Sequence, residues 1–205
     1  MNEVVTVEQP HDVSRAKRLK AATHAAHEGL DKAIMAGQPF SSRARYGLFL
    51  IVQHDFHRDI DALYAHAELD ALLPDLDGRR RFGYVRQDLI DLGMEPPQAA
   101  GGPVFEKGEA VDIPTALGWL YVAEGSNLGA AFLLKEAFKL GLSETSGARH
   151  LAGAPEGRGL HWRTFTSALD TVDLSEAEEA RVIAGAQAAF RRVQGLVDKV
   201  YGAAP

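Results

Sequence analysis

The sequence predicts an all-α fold in a single domain. Three observations carry that expectation. Apolar residues recur at helical spacing over several long stretches, capping signals stand where those stretches begin, and no segment alternates as a half-buried strand would. A chain of 205 residues suits one domain with a substantial core. It divides into a flexible N-terminal lead-in, residues 1–12, and one helical domain, residues 13–202.

From Val13 to about Ala36, the residues Ala16, Leu19, Thr23, Ala26, Leu30 and Ile34 form one apolar stripe. His27 falls on the edge of that stripe, and His24 turns further toward solvent. Lys20 precedes His27 by two turns on nearly the same line, about 10 Å along the flank. Met35 to Pro39 ends this helix, and Ser41 or Ser42 caps a second one expected to run toward Leu69. His54, His57 and His66 stand there near Arg58, Asp59 and Asp61, which reads as a hydrated, salt-bridged flank. A shorter helix is expected from about Arg79 to Leu92, followed by a loop rich in proline and glycine from Glu95 to Gly108.

Asp112-Ile113-Pro114 then supplies a cap and an early proline for a long helix reaching Gly141. Gly141 to Gly159, dense in glycine, serine and proline, reads as an exposed connection. A helix over Leu160 to Val172 follows. Ser175 with Glu178 forms a capping box for the last helix, whose apolar face carries Ile183, Phe190, Val193, Leu196, Val197 and Val200. The expectation is six to eight helices in all.

The long helix beginning at Ile113 contains glycine at 118, 125 and 129. Each interior glycine costs about 1 kcal/mol of helix stability relative to alanine, so the three need a compensating use. Gly125 and Gly129 share one face, widened by Ser126 and Ala130. Two uses account for such a face: a tight helix crossing, or a flat body laid against the backbone.

Composition removes whole classes of function. A hydrophobic fraction of 46% and a charged fraction of 24% describe a soluble globular protein. No apolar run approaches the roughly 20 residues of a membrane span. The polar N-terminus shows no secretory segment, so a cytoplasmic protein is expected. The absence of cysteine excludes disulfides, thiolate nucleophiles, iron–sulfur clusters and Cys-ligated zinc. A net charge of −6 argues against a nucleic-acid binder. The runs Arg79-Arg80-Arg81 and Arg191-Arg192 read as solvated surface able to dock an acidic protein.

Metal and nucleophile motifs are weak. A di-iron carboxylate site needs Glu-x-x-His on two helices, and none of the predicted helices carries one. His27-Glu28 is followed by Gly29-Leu30-Asp31, without the second histidine of a zinc protease. His24, His27, His54 and His57 would allow a four-imidazole site between the first two helices. Phosphate loops and a Gly-x-Ser-x-Gly elbow are absent. A slot with one axial histidine on the first helix and a glycine-lined helix opposite would suit haem.

The segment from Leu19 to His27 resembles the first-helix signature of haem oxygenases, Leu-Lys-x-x-Thr-x-x-x-His, whose final histidine is the proximal ligand. By that match the ligand is His27, not His24. Leu120 to Phe132 is similar to the distal helix of the bacterial members, and Ala188-Ala189-Phe190 to an aromatic-bearing patch of the pocket. The resemblance spans about residues 13 to 200. It implies haem sandwiched between a proximal first helix and a glycine-kinked distal helix. Haem would be both cofactor and substrate, opened by O2 and external electrons to biliverdin with release of CO and ferrous iron. It further implies that Gly125 and Gly129 admit the ring and ordered water, with Ser126 in that shell where mammalian members have aspartate. Lys20 and Tyr121 match propionate contacts, and Arg163 is a further candidate. Ferredoxin, flavodoxin or an NADPH-dependent reductase would supply electrons, and a biliverdin-accepting protein would take the product. The alternative of the same fold is a non-catalytic haem carrier or sensor.

Overall fold

Helix starts follow the caps that the sequence announces. In the computed structural model, the Ser14 hydroxyl accepts from the Lys17 amide at 3.4 Å, Ser42 from Arg45 at 3.1 Å, and Asp112 from Thr115 at 3.0 Å. The Ser175 amide donates to the Glu178 carboxylate at 2.8 Å while the Glu178 amide donates back to the Ser175 hydroxyl at 3.4 Å, which is the expected capping box. The structure describes residues 14–98 and 101–202, and the expected lead-in over residues 1–12 lies outside them.

Among the described residues there are seven α-helices: α1 Arg15–Ala36, α2 Arg43–Ile60, α3 Ala67–Leu72, α4 Phe82–Asp91, α5 Ile113–Lys139, α6 Arg158–Thr171 and α7 Glu176–Gly202. Short 3-10 turns occupy Asp61–Ala65, Asp77–Arg79 and Arg149–Leu151. The only β pairing among these residues is two isolated bridges from Ser143, to Ser146 and to Gly147, so the fold is all-α. No described helix is long and apolar enough to cross a membrane.

Helix α5 is the central element. It lies along α7 and α6, and α7 in turn carries α1 and α2. The closest approach is between Gly118 and Gly185. A Cβ at Gly118 would stand 2.1 Å from the Val182 carbonyl oxygen, and one at Gly185 2.3 Å from that of Thr115. Backbone meets backbone there, so the tight crossing among the α5 glycines falls at Gly118. Leu19, Leu117, Leu120, Phe165, Val182, Ala186 and Ala189 pack around it in the main core, each almost wholly buried. A second cluster joins Tyr46, Phe49 and Leu50 of α2 to Val85 and Leu89 of α4 and Leu134 of α5. Arg15 ties the start of α1 to α6 and α7, donating to the carbonyls of Leu169 and Val172 and pairing with Glu179 at 2.6 Å.

Several expectations are corrected. The second helix does not run to Leu69: α2 ends at Ile60, the chain tightens into the 3-10 turn, and His66 is extended. That turn carries Leu63 and Tyr64 into the core. The next helix begins at Phe82, because Arg79 is drawn into the interior by Glu124. His54, His57 and Asp59 do not form a hydrated flank but are buried. Residues 141–159 are not simply an exposed connection either. The Asp88 and Asp91 carboxylates of α4 accept the amides of Gly147, Arg149 and His150 at 2.7, 2.9 and 3.0 Å, pinning a segment in which Ala148, His150 and Leu151 are buried.

Candidate functional site

His27 stands on an exposed face of α1, with 61% of its side chain accessible. Its Nδ1 lies 3.0 Å from an Asp31 carboxylate oxygen one turn later. When Nδ1–H donates to that carboxylate, Nε2 carries the lone pair and is the free ligating atom. Phe190 of α7, itself buried, meets the imidazole edge-on at 5.9 Å and restricts its tilt. On His27's own face of α1, Lys20, His24 and Asp31 are exposed beside it, while Thr23 and Leu30 are buried.

The second half of α5 emerges from the core. From Ala116 through Glu124 every residue of α5 is buried; from Gly125 onward the helix comes out of the core. A Cβ at Gly125 would meet only Trp162 at an ordinary 3.5 Å, and one at Gly129 would meet nothing within 4 Å. Neither glycine is consumed by a backbone crossing: Gly125 lies against the Trp162 ring and Gly129 faces open space. Leu128 and Phe132 on the same half are 42% and 56% exposed, which makes the surface apolar as well as flat. The Ser126 hydroxyl is exposed and donates to the Ala123 carbonyl at 2.7 Å.

Tyr121 bridges the two helices. Its hydroxyl donates to the Ala16 carbonyl of α1 at 3.4 Å, its ring lies 5.5 Å from Trp162, and burial raises its pKa. Ala16 is one turn before Lys20, an exposed residue, so Tyr121 and Lys20 sit toward the same end of α1. Arg163 stands apart, exposed on α6 beside Gly159, and is not brought against the other named residues. Asp31 and Trp162 are not anticipated from the sequence. A carboxylate four residues after His27 is the signal that points to the first; nothing local points to the second.

The four-imidazole alternative fails on geometry. His54 and His57 are buried while His24 and His27 face outward, and no group of three or more His, Cys, Asp or Glu among the described residues stands where it could hold a metal ion. An ion held here by one imidazole must bring its other ligands with it, as an iron macrocycle does. The exposed His27 imidazole and the bare α5 surface at Gly129 suit such a flat, largely apolar group.

A family model described as Heme oxygenase matches residues 13–199. The chain belongs to the haem oxygenase family. It is 38% identical over 187 residues to the haem oxygenase PigA of Pseudomonas aeruginosa, covering 91% of this chain and 93% of that one. The NO- and CO-bound haem oxygenase from Neisseria meningitidis matches with a TM-score of 0.86 at 44% identity, covering 93% of each chain. Haem oxygenase-1 from the cyanobacterium Synechocystis, solved in complex with haem, shares the fold, with a TM-score of 0.71 at 16% identity over 93% of each chain. As a haem oxygenase the protein is an enzyme and its ligand is haem.

Proposed function

We propose that this haem oxygenase binds haem through Nε2 of His27, between α1 and the Gly125/Gly129 face of α5. The observation that carries the reading is the exposed His27 imidazole, its Nδ1 3.0 Å from Asp31, together with an α5 surface left bare at Gly129. When bound, haem supplies the iron that activates O2 and is itself the substrate, opened with external electrons to biliverdin as CO and ferrous iron are released.

The protein's own residues orient and protonate. Asp31 fixes the tautomer of His27 and leaves Nε2 as the ligating atom. Lys20 supplies a cation and Tyr121 a hydroxyl for the propionates, whereas Arg163 stands away from both. Gly125 and Gly129 give the ring close access to the α5 backbone and leave room for water. From Gly125 to Phe132 no side chain ionises, so a proton must arrive through water hydrogen-bonded to the Ser126 hydroxyl and to main-chain groups. Gly125, Ser126 and Gly129 are thus the catalytic positions of the distal wall. The chain carries no nucleotide-binding motif, so electrons come from a ferredoxin, a flavodoxin or an NADPH-dependent reductase. We place the enzyme in the cytoplasm, handing its bilin to an accepting protein.

Haemin titration tests the site. The expected result is a stoichiometric Soret band whose axial-imidazole signature is lost in His27→Ala and kept in His57→Ala. Retention of that signature in His27→Ala would overturn the assignment.

A further inference from the structure

Directly behind the glycine face lies a buried ionic cluster that ligand binding does not explain. Glu124, the last residue of the buried run of α5, is 2% exposed; Arg79 is 3%, Tyr64 2% and His161 7% exposed. One Glu124 carboxylate oxygen accepts from the Tyr64 hydroxyl at 2.9 Å and the other from Arg79 Nη1 at 2.9 Å. His161 Nε2 stands 3.6 Å from the second oxygen, and its Nδ1 is 2.7 Å from Glu156. Arg79 spends its remaining donors elsewhere: Nε on the Pro74 carbonyl at 3.4 Å and Nη2 on the His161 carbonyl at 3.3 Å. Its guanidinium lies over the Phe165 ring at 5.7 Å. One side chain thus joins the 74–79 turn, α5 and α6.

Taking a carboxylate and a guanidinium out of water is expensive, and an apolar set of similar volume would hold a core equally well. What directed hydrogen bonds add is a fixed rotation of the helix that carries the carboxylate. That matters here because the next stretch of α5, residues 125–129, has little grip of its own before Ala130 and Leu134 enter the second core cluster. Gly125 and Gly129 have no side chain, Ser126 bonds only within its own helix, and the Asn127 carbonyl is held from outside by Arg158 at 2.8 Å. We propose that Glu124 and Arg79, with Tyr64 and His161, are positioning residues that set the rotation of α5 where it enters the slot. They thereby set how the glycine face meets the ring. The inference rests on the haem reading of that slot. None of the four needs to touch the ligand.

The test separates positioning from mere stability. In the triple variant Glu124→Met/Arg79→Met/Tyr64→Phe the hydrogen-bonding members become apolar at similar volume. Hydrogen exchange in the haem-free protein is expected to be about tenfold faster across residues 122–130 and unchanged in α7, with the melting temperature preserved. With haem and an electron donor, the variant is expected to give a mixture of bilin isomers where the wild type gives fewer. Arg79→Lys keeps the charge opposite Glu124 but drops the bonds to Pro74 and His161. It is expected to show the same local acceleration at about threefold, which keeps the test open should the triple variant not fold. Unchanged exchange over 122–130 overturns the proposal, as does acceleration spread over the whole molecule. A wild type that binds haem elsewhere would count against the slot assignment alone, because the exchange readout needs no haem.

Discussion

Asp31 is the residue that prepares His27, since the bond to Nδ1 both selects the tautomer and stiffens an otherwise exposed ring. Asp31→Leu is therefore expected to weaken haem affinity by about tenfold in a spectrophotometric titration while leaving the fold intact. A different histidine governs stability in acid. Burial, reinforced by His150 and Arg81, pulls the pKa of His57 from 6.5 down to about 3. Across that interval the unfolded chain binds a proton that the native protein refuses, so native stability falls as pH falls from 6.5. The slope from this one site is about 1.4 kcal/mol per pH unit. His150 is depressed by burial and acts with the same sign. His57→Phe is expected to flatten the dependence of the urea midpoint on pH between 6.5 and 5; an unchanged slope would contradict the burial account. The first-helix motif makes Lys20, Thr23 and His27 legible in the sequence alone. Arg79 is not legible there, because a run of three arginines looks solvated and its fate is decided by a carboxylate 45 residues away.

At the scale of elements, α5 is two helices in function joined without a break in hydrogen bonding. Its first half is locked at Gly118 against the α7 backbone, and its second half is open at Gly129. The two glycines therefore respond oppositely to the same change. Gly118→Ala drives a methyl into the Val182 carbonyl and is expected to destabilise by about 3 kcal/mol, read from urea unfolding. Gly129→Ala meets nothing and is expected to stabilise the haem-free protein by up to about 1 kcal/mol, yet to weaken haem binding because the methyl stands on the slot surface. A Gly129→Ala protein that binds haem as tightly as wild type would remove Gly129 from the site. The start of α5 is legible because Asp112 and Pro114 mark it locally. The end of α2 and the burial of residues 147–151 are not. Tertiary partners, Tyr64 turning toward Glu124 and the α4 carboxylates gathering amides, decide both.

The whole molecule leans two helices on a third, and the proposed slot lies between them. Both α1 and α5 pack along α7, while a side-chain hydrogen bond from Tyr121 to Ala16 links them directly. A ligand spanning the gap would couple α1 to α5 and stabilise the fold by mass action, about 2.7 kcal/mol at a hundredfold excess over its dissociation constant. The melting temperature is accordingly expected to rise with haemin in the wild type, and not in His27→Ala. The central claim is that this slot turns haem over rather than merely holding it. The most direct measurement supplies haemin-loaded protein with ascorbate, or with ferredoxin and its reductase, under air and follows the absorption spectrum. The account predicts that the Soret band decays as a red bilin absorbance appears, and that His27→Ala shows no such conversion. Haem that stays bound through His27 and intact under those conditions would contradict it, leaving a carrier or sensor of the same fold.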